Sequence, residues 1–237
     1  MSKFKEIFKD NSEFKIWDKL DNGCYIGTLG YAEKNIKILQ DLLMSFSEQY
    51  GEIIDYKAAK EELKLYEDFG KLFIYFDENL NPVSMNGCIY DYDNESVDFV
   101  SSNGNKLHSI YFYGLSTLPY YRGKGACRTL IKYAVAYAKA NNFDYVYART
   151  DLVDSMSEAL MNLGGLDLCT YDDKIIAEWV QVTDEKGDYR LHMWMPMHND
   201  VKVLPKGNYF LANNDAERKI ITNEETKNKR LVKVYEN

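Results

Sequence analysis

The stretch that most constrains this chain runs from residue 108 to 151, HSIYFYGLSTLPYYRGKGACRTLIKYAVAYAKANNFDYVYARTD. Residues 110–118 are mostly β-branched, aromatic or apolar, which suits a buried or half-buried strand. Pro119 ends that strand, since proline cannot donate to a sheet ladder. A bend follows, Tyr120-Tyr121-Arg122-Gly123-Lys124-Gly125, and a helix is expected from about Gly125. Ala126, Leu130, Ala134 and Ala138, with Cys127, Ile131 and Val135 beside them, recur at helical spacing and mark one face of it. Asn141-Asn142 closes the helix, and residues 143–148 supply another strand.

The chemistry of the bend follows from this geometry. The first N–H groups of a helix have no partner inside it, and the helix dipole places partial positive charge there. Gly123 and Gly125 let the backbone approach a ligand, and Arg122 and Lys124 add cationic charge. Such a site suits a pyrophosphate or another anion, although a glycine pair before a helix is also an ordinary turn. The bend is not a P-loop: GKG lacks the four-residue glycine spacing and a Ser/Thr after the lysine. Nor is it a dinucleotide fingerprint, because Arg128 stands where the third glycine belongs and Asp144 opens the next strand rather than closing it.

The run Leu115-Ser116-Thr117-Leu118-Pro119-Tyr120-Tyr121-Arg122-Gly123-Lys124-Gly125 resembles the acetyl-CoA signature of the GNAT-type N-acetyltransferase superfamily. That signature is Arg or Gln, two residues, Gly, one residue, then Gly or Ala. Arg122 and Gly125 match it, and Cys127 stands at the final small position. The resemblance implies that the amides of Arg122, Gly123, Lys124, Gly125, Ala126 and Cys127 hold the pyrophosphate of acetyl-CoA. It also implies that Leu115, Ser116, Thr117 and Leu118 bind the pantetheine arm through their backbone. The implied fold is α/β (α+β), with a mixed, mostly antiparallel central sheet flanked by helices. A domain over 31–198 is expected, with an extension over 1–30 and another over 199–237.

Two departures concern the acid and the base. Members of the family often carry a tyrosine on the helix after this unit, where it protonates the departing thiolate. The corresponding residues 159–165 hold none, and Met161 falls nearest that place. Ser157 or a tyrosine from another element is left to substitute. Many members also place a glutamate about eleven residues before the Arg/Gln position. Here that residue is Tyr111, and the whole strand lacks a carboxylate. Asp98, Glu95 or His108 remain as bases acting directly or through water. Taken singly, His108 also reads as a strand-end cap and Asp98 as a solvated side chain.

Composition narrows the class. With 237 residues and 46% hydrophobic content the chain can bury one good core. The net charge of −8 argues against a nucleic-acid partner. No apolar run reaches ~18 residues, and the charged first ten residues are no signal peptide, so a cytoplasmic protein without a membrane partner is expected. Cysteines 24, 88, 127 and 169 form no CxxC pair, and the three histidines show no metal-ligand spacing, so no metal is expected. Between 72 and 105 there is no Lys or Arg, while Asp77, Glu78, Asp91, Asp93, Glu95 and Asp98 all fall there. A solvated hairpin surface explains this, and so does a field that attracts a cationic amine.

Along the rest of the chain, 14–17 and 24–29 read as short strands around Asp21-Asn22-Gly23. Helices are expected over 33–50 and 56–69, with Ile36, Leu39, Leu43, Phe46 and Tyr50 on one stripe and Ala59, Leu63 and Tyr66 on the other. Strands follow at 71–76, 82–92 and 97–100, then a helix at 155–163 and a hairpin over 175–197. Trp179 and Trp194 of that hairpin are core residues or acceptor-pocket walls. Residues 209–212 and 231–235 read as short strands. The expected activity is transfer of acetyl from acetyl-CoA to a small-molecule or peptide primary amine by direct attack. A non-catalytic acyl-CoA-binding module, a plain interaction protein and Cys127 as an acyl-carrying nucleophile are the alternatives.

Overall fold

A computed structural model describes residues 14–47, 54–151, 164–181, 187–207 and 209–213, together with Leu160. In chain order the elements are β1 (Phe14–Lys19), β2 (Tyr25–Leu29), α1 (Glu33–Ser47), α2 (Tyr56–Phe69), β3 (Gly70–Phe76), β4 (Pro82–Tyr90), β5 (Val97–Ser101) and β6 (Ser109–Thr117). They continue with α3 (Ala126–Ala140), β7 (Tyr145–Asp151), β8 (Asp167–Leu168), β9 (Thr170–Tyr171), β10 (Lys174–Gln181), β11 (Gly187–Pro196), β12 (Val201–Pro205) and β13 (Phe210–Asn213). The chain divides into two units, one of residues 1–90 and 110–141, the other of 91–109 and 142–237.

In the first unit, β1, β2, β3, β4 and β6 pair in that order, each antiparallel to the next. Residues 14–29 thus add a hairpin to β3, closed by the expected turn with Gly23 at φ 84°. β3 reads LFIYF and β4 VSMNGCI, both buried along their length, as strands covered on both faces must be. Helix α3 lays Ala126, Leu130, Ile131, Ala134, Val135 and Ala138 inward, and Phe73 of β3 meets the rings of Tyr133 and Tyr137 edge-on at 6.1 and 5.4 Å. Helix α2 starts on Asp55, whose carboxylate accepts the Ala58 N–H at 2.7 Å. It buries Ala59, Leu63 and Tyr66. Gly70 was expected only to stop α2. It also opens β3 with no intervening turn, and a Cβ there would stand 1.9 Å from the Cys88 carbonyl oxygen.

In the second unit, β7, β11, β10 and β13 pair antiparallel in that order. β8 adds to β11 and β9 to β10. β5 pairs with β12 as a separate ribbon, Val97 opposite Pro205 and Ser101 opposite Val201. β12 is a strand that its alternation of only five residues did not announce. Phe99 of the ribbon stacks on Tyr145 at 4.2 Å and touches Tyr147 and Trp194, so Trp194 packs in a core. Beneath lies a buried polar cluster. Glu178 Oε1 takes Arg149 at 2.7 Å, its Oε2 accepts from Ser96, and His192 Nδ1 meets the Tyr147 hydroxyl at 2.6 Å.

The expected mostly antiparallel sheet with flanking helices is therefore present. The larger boundary differences are three: the strand expected to end at 17 runs on to Lys19, the strand expected to reach residue 92 ends at Tyr90, where Asp91 turns at φ 50°, and the strand expected at 143 starts at Tyr145. Among the described residues no helix is long and apolar enough to cross a membrane. The side chains of Phe46 and Trp179, the helix expected over 155–163 with Ser157 and Met161, and the strand expected over 231–235 lie outside the described residues.

Candidate functional site

The bend between β6 and α3 is built from short local bonds. Pro119–Tyr121 makes one 3-10 turn, with Tyr121 N–H to the Leu118 carbonyl at 2.9 Å and Arg122 N–H to the Pro119 carbonyl at 3.2 Å. Gly123 and Gly125 then take φ 74° and 87°, the left-handed region in which a Cβ is strained. A Cβ at either position would meet nothing within 4 Å. Backbone conformation, not crowding by the protein, is what requires glycine there, and the space in front of the backbone is open. Gly125 is the N-cap of α3 and has no side chain to occupy the first N–H groups. Open space, free approach of the backbone and a helix N-terminus together fit a diphosphate.

Three anchors hold the bend. The Tyr121 hydroxyl donates to Asp77 Oδ2 at 3.0 Å. Asp77 also accepts the Asn79 and Asn81 N–H groups at 2.9 and 2.8 Å. Burial pushes the Asp77 carboxyl up, but the bonds from Asn81, Tyr121 and Asn79 outweigh it and hold the group below its ordinary value. Arg122 folds back: Nε donates to the Thr117 carbonyl at 3.1 Å, and Nη2 to Ser45 O and Oγ at 2.8 and 3.2 Å. Its charge thus ties the end of β6 to the end of α1. Lys124 Nζ sits over the rings of Tyr120 and Tyr121, 4.0 and 5.1 Å from their centroids.

The strand ahead of the bend is equally fixed. Leu115, Ser116 and Thr117 pair with Asn86, Met85 and Ser84, and the Leu118 N–H donates to the Val83 carbonyl at 3.0 Å. Ser116 Oγ donates to the Leu42 carbonyl at 2.5 Å. Ala126 is buried at the start of α3 and Cys127 beside it is half-buried.

Further up β6 the register passes from Gly87 opposite Gly114 to Cys88 opposite Phe112, so Tyr113 is the extra residue of a bulge. The two facing glycines leave room for the phenol of Tyr66 on α2. A Cβ on Gly87 would fall 2.1 Å from that hydroxyl and a Cβ on Gly114 3.0 Å from it. Tyr66 in turn donates to Glu62 Oε1, one helical turn earlier, at 2.5 Å. Tyr113 meets the Tyr66 ring edge-on at 6.4 Å, and the buried Tyr111 meets Tyr113 at 6.1 Å. Burial pushes the Glu62 carboxyl above its ordinary value, and the Tyr66 hydrogen bond offsets part of that.

The strand that carries Tyr111 thus has a carboxylate supplied to it by another element, at Gly114, where Glu62 Oε1 lies 3.8 Å from the position a Cβ would take. Neither Glu62 nor Tyr66 was singled out from the sequence, where Tyr66 read as one more core residue. An i, i+4 Glu–Tyr pair crossing from the half-buried edge of the helix onto its buried stripe was the available signal. His108 and Asp98 belong to the second unit and have local partners there. His108 N–H donates to Asp144 Oδ2 at 2.6 Å and its ring meets Asp91 Oδ2 at 3.1 Å. Asp98 is exposed, and its Oδ1 accepts the N–H of Phe99. Of the acids between 72 and 105, Asp77 anchors the bend, Asp91 holds Ser109 and His108, and Asp93 pairs with Lys206 at 2.8 Å.

Residues 36–164 match the model of the Acetyltransferase (GNAT) family. No curated protein sequence matches the chain. Among solved structures, a ribosomal-protein-alanine N-acetyltransferase from Brucella melitensis is similar in fold, with TM-score 0.54, 13% identity, and 73% of this chain and 99% of that one covered. A ribosomal-protein-S5-alanine acetyltransferase from Vibrio fischeri gives TM-score 0.55 at 12% identity, covering 77% and 97%. The NatC complex bound to Gag peptide and CoA gives 0.51 at 15%, covering 74% and 99%. A family match over more than half the chain, falling on the strand, bend and helix described above, places this protein in the GNAT acetyltransferase family, whose members are acyltransferases.

Proposed function

We propose that the protein transfers the acetyl group of acetyl-CoA to a primary amine by direct attack, with the bend from Leu118 to Cys127 holding the pyrophosphate. The observation that carries this reading is the pair of left-handed glycines around Lys124. They sit at the head of α3 with nothing within 4 Å where their side chains would stand. When bound, acetyl-CoA supplies the activated acyl group. The backbone of Leu115–Leu118, fixed against β4, orients its arm, and positioning of amine and thioester supplies much of the acceleration.

Acceptors to try first are peptides with a free α-amine, since structures of similar fold include a peptide complex and two enzymes named for ribosomal-protein alanine. Lysine, polyamines and aminoglycosides complete the panel. The experiment incubates the protein with acetyl-CoA and each amine and reads thiol release, with coenzyme A binding measured by calorimetry. Release that depends on one amine class supports the proposal. Tight binding without release for any amine supports a non-catalytic acyl-CoA module instead, and absence of binding removes both.

A further inference from the structure

We infer that Glu62 is the group that takes the proton from the acceptor ammonium, and that Tyr66 positions it. The inference rests on the acetyl-transfer reading above. β6 runs away from the pyrophosphate bend, and from Leu118 to Gly114 it rises by roughly 13 Å at 3.3 Å per residue. An arm lying along that backbone brings its acyl end to the bulge at Tyr113, beside the Tyr66 phenol that fills the gap over the Gly87–Gly114 pair. The carboxylate at that point comes from α2, and Glu62 Oε1 lies 3.8 Å from where a Cβ on Gly114 would stand.

The surroundings suit the task. Tyr66 is 2% exposed and its hydroxyl donates to Glu62 at 2.5 Å, which fixes the carboxylate over the bulge. Besides Glu62, the titratable groups that act on Tyr66 are Tyr113 of β6 and Cys88 of β4, whose thiol burial pushes up, and Tyr111 of β6 touches Tyr113. On α1, Lys37 and Asp41 pair with each other in solvent at 2.9 Å. An ammonium brought to Gly114 would have Glu62 as its adjacent carboxylate, 3.8 Å from the position a Cβ there would take. Burial holds its carboxyl above the ordinary value, toward the range of an effective base.

R–NH3+ gives one proton to the Glu62 carboxylate. The freed amine nitrogen bonds to the acetyl carbonyl carbon while the carbon–sulfur bond breaks. A second proton leaves nitrogen for the departing sulfur, giving the amide and coenzyme A thiol, and Glu62 returns its proton to water.

The test uses the full chain with acetyl-CoA and n-butylamine, a minimal primary amine that needs no acceptor-specific contact. Thiol release is followed from pH 5 to 10 for wild type, Glu62→Gln and Tyr66→Phe, with coenzyme A affinity measured for each. Expected for Glu62→Gln is unchanged coenzyme A affinity, a loss of about a hundredfold or more in kcat/KM and disappearance of the acidic limb of the profile. Tyr66→Phe keeps that limb but moves it to higher pH, because the hydrogen bond that lowers the Glu62 value is gone; a merely structural role would not move it. A Glu62→Gln enzyme with the wild-type rate and limb overturns the assignment while acetyl transfer stands. A Tyr66→Phe limb at the wild-type pH overturns the positioning role. Wild type that binds coenzyme A yet releases no thiol with any amine overturns the acetyl-transfer reading itself, and the assignment with it.

Discussion

The hydroxyl of Tyr121 donates to Asp77 Oδ2 at 3.0 Å, joining residues 44 positions apart. Asp77 sits in the tight turn between β3 and β4, where it accepts the N–H groups of Asn79 and Asn81. One carboxylate therefore shapes a hairpin and anchors the bend ahead of α3.

Asp77→Ala is expected to lower coenzyme A affinity by about fivefold, the equivalent of roughly 1 kcal/mol for a lost hydrogen bond. The folded value of Asp77 lies below its ordinary 3.8. Its contribution is fully present above that ordinary value and is lost as pH falls through the lower folded one. Wild-type affinity should therefore carry a component that drops below about pH 4, and Asp77→Ala should lack it. Calorimetric titration at several pH values checks this; identical profiles would show that the Asp77–Tyr121 tether does not act on coenzyme A binding.

Substitution at Gly125 separates folding from binding. Its φ of 87° strains an ordinary side chain by about 1–2 kcal/mol, whereas Asn tolerates that region better. Gly125→Asn should unfold in urea near the wild-type midpoint yet bind coenzyme A at least tenfold more weakly, because its side chain fills the open space. Gly125→Val should lose both stability and binding. Wild-type affinity in Gly125→Asn would place the diphosphate elsewhere.

Gly87→Ala sets a methyl 2.1 Å from the Tyr66 hydroxyl and ring. Overpacking of this kind costs about 1–3 kcal/mol, so the urea midpoint should fall with no change in slope. The Tyr66 hydroxyl should leave Glu62 at the same time, shifting the pH profile of thiol release as Tyr66→Phe does.

Burial holds His192 at about 4, with Arg149 opposing protonation and Glu178 favouring it. The unfolded chain takes up this proton below about 6.5 and the folded one does not. Stability contributed by neutral His192 is therefore complete above about 6.5 and declines as pH falls from there to 4, by up to about 3 kcal/mol. Urea unfolding at pH 7.5 and 4.5 measures the loss. His192→Gln should flatten that window, and an unchanged slope would show that other groups carry the acid sensitivity.

By itself the sequence determined the unit around the bend, because each of its signals is local. Pro119 stops a strand, two glycines permit a left-handed turn, and the face of Ala126, Leu130, Ala134 and Ala138 repeats at helical spacing. Each acts within a few residues and is readable in one dimension, as were the buried stripes of α1 and α2. Tertiary structure alone decided what those pieces touch. Arg122 turns back onto Ser45, Asp77 reaches Tyr121, and a bulge at Tyr113 with facing glycines brings Glu62 to a strand that has no carboxylate of its own. Hydrogen bonds between side chains tens of residues apart leave no periodicity in the chain, because register and bulges are set by the packing of whole strands and helices.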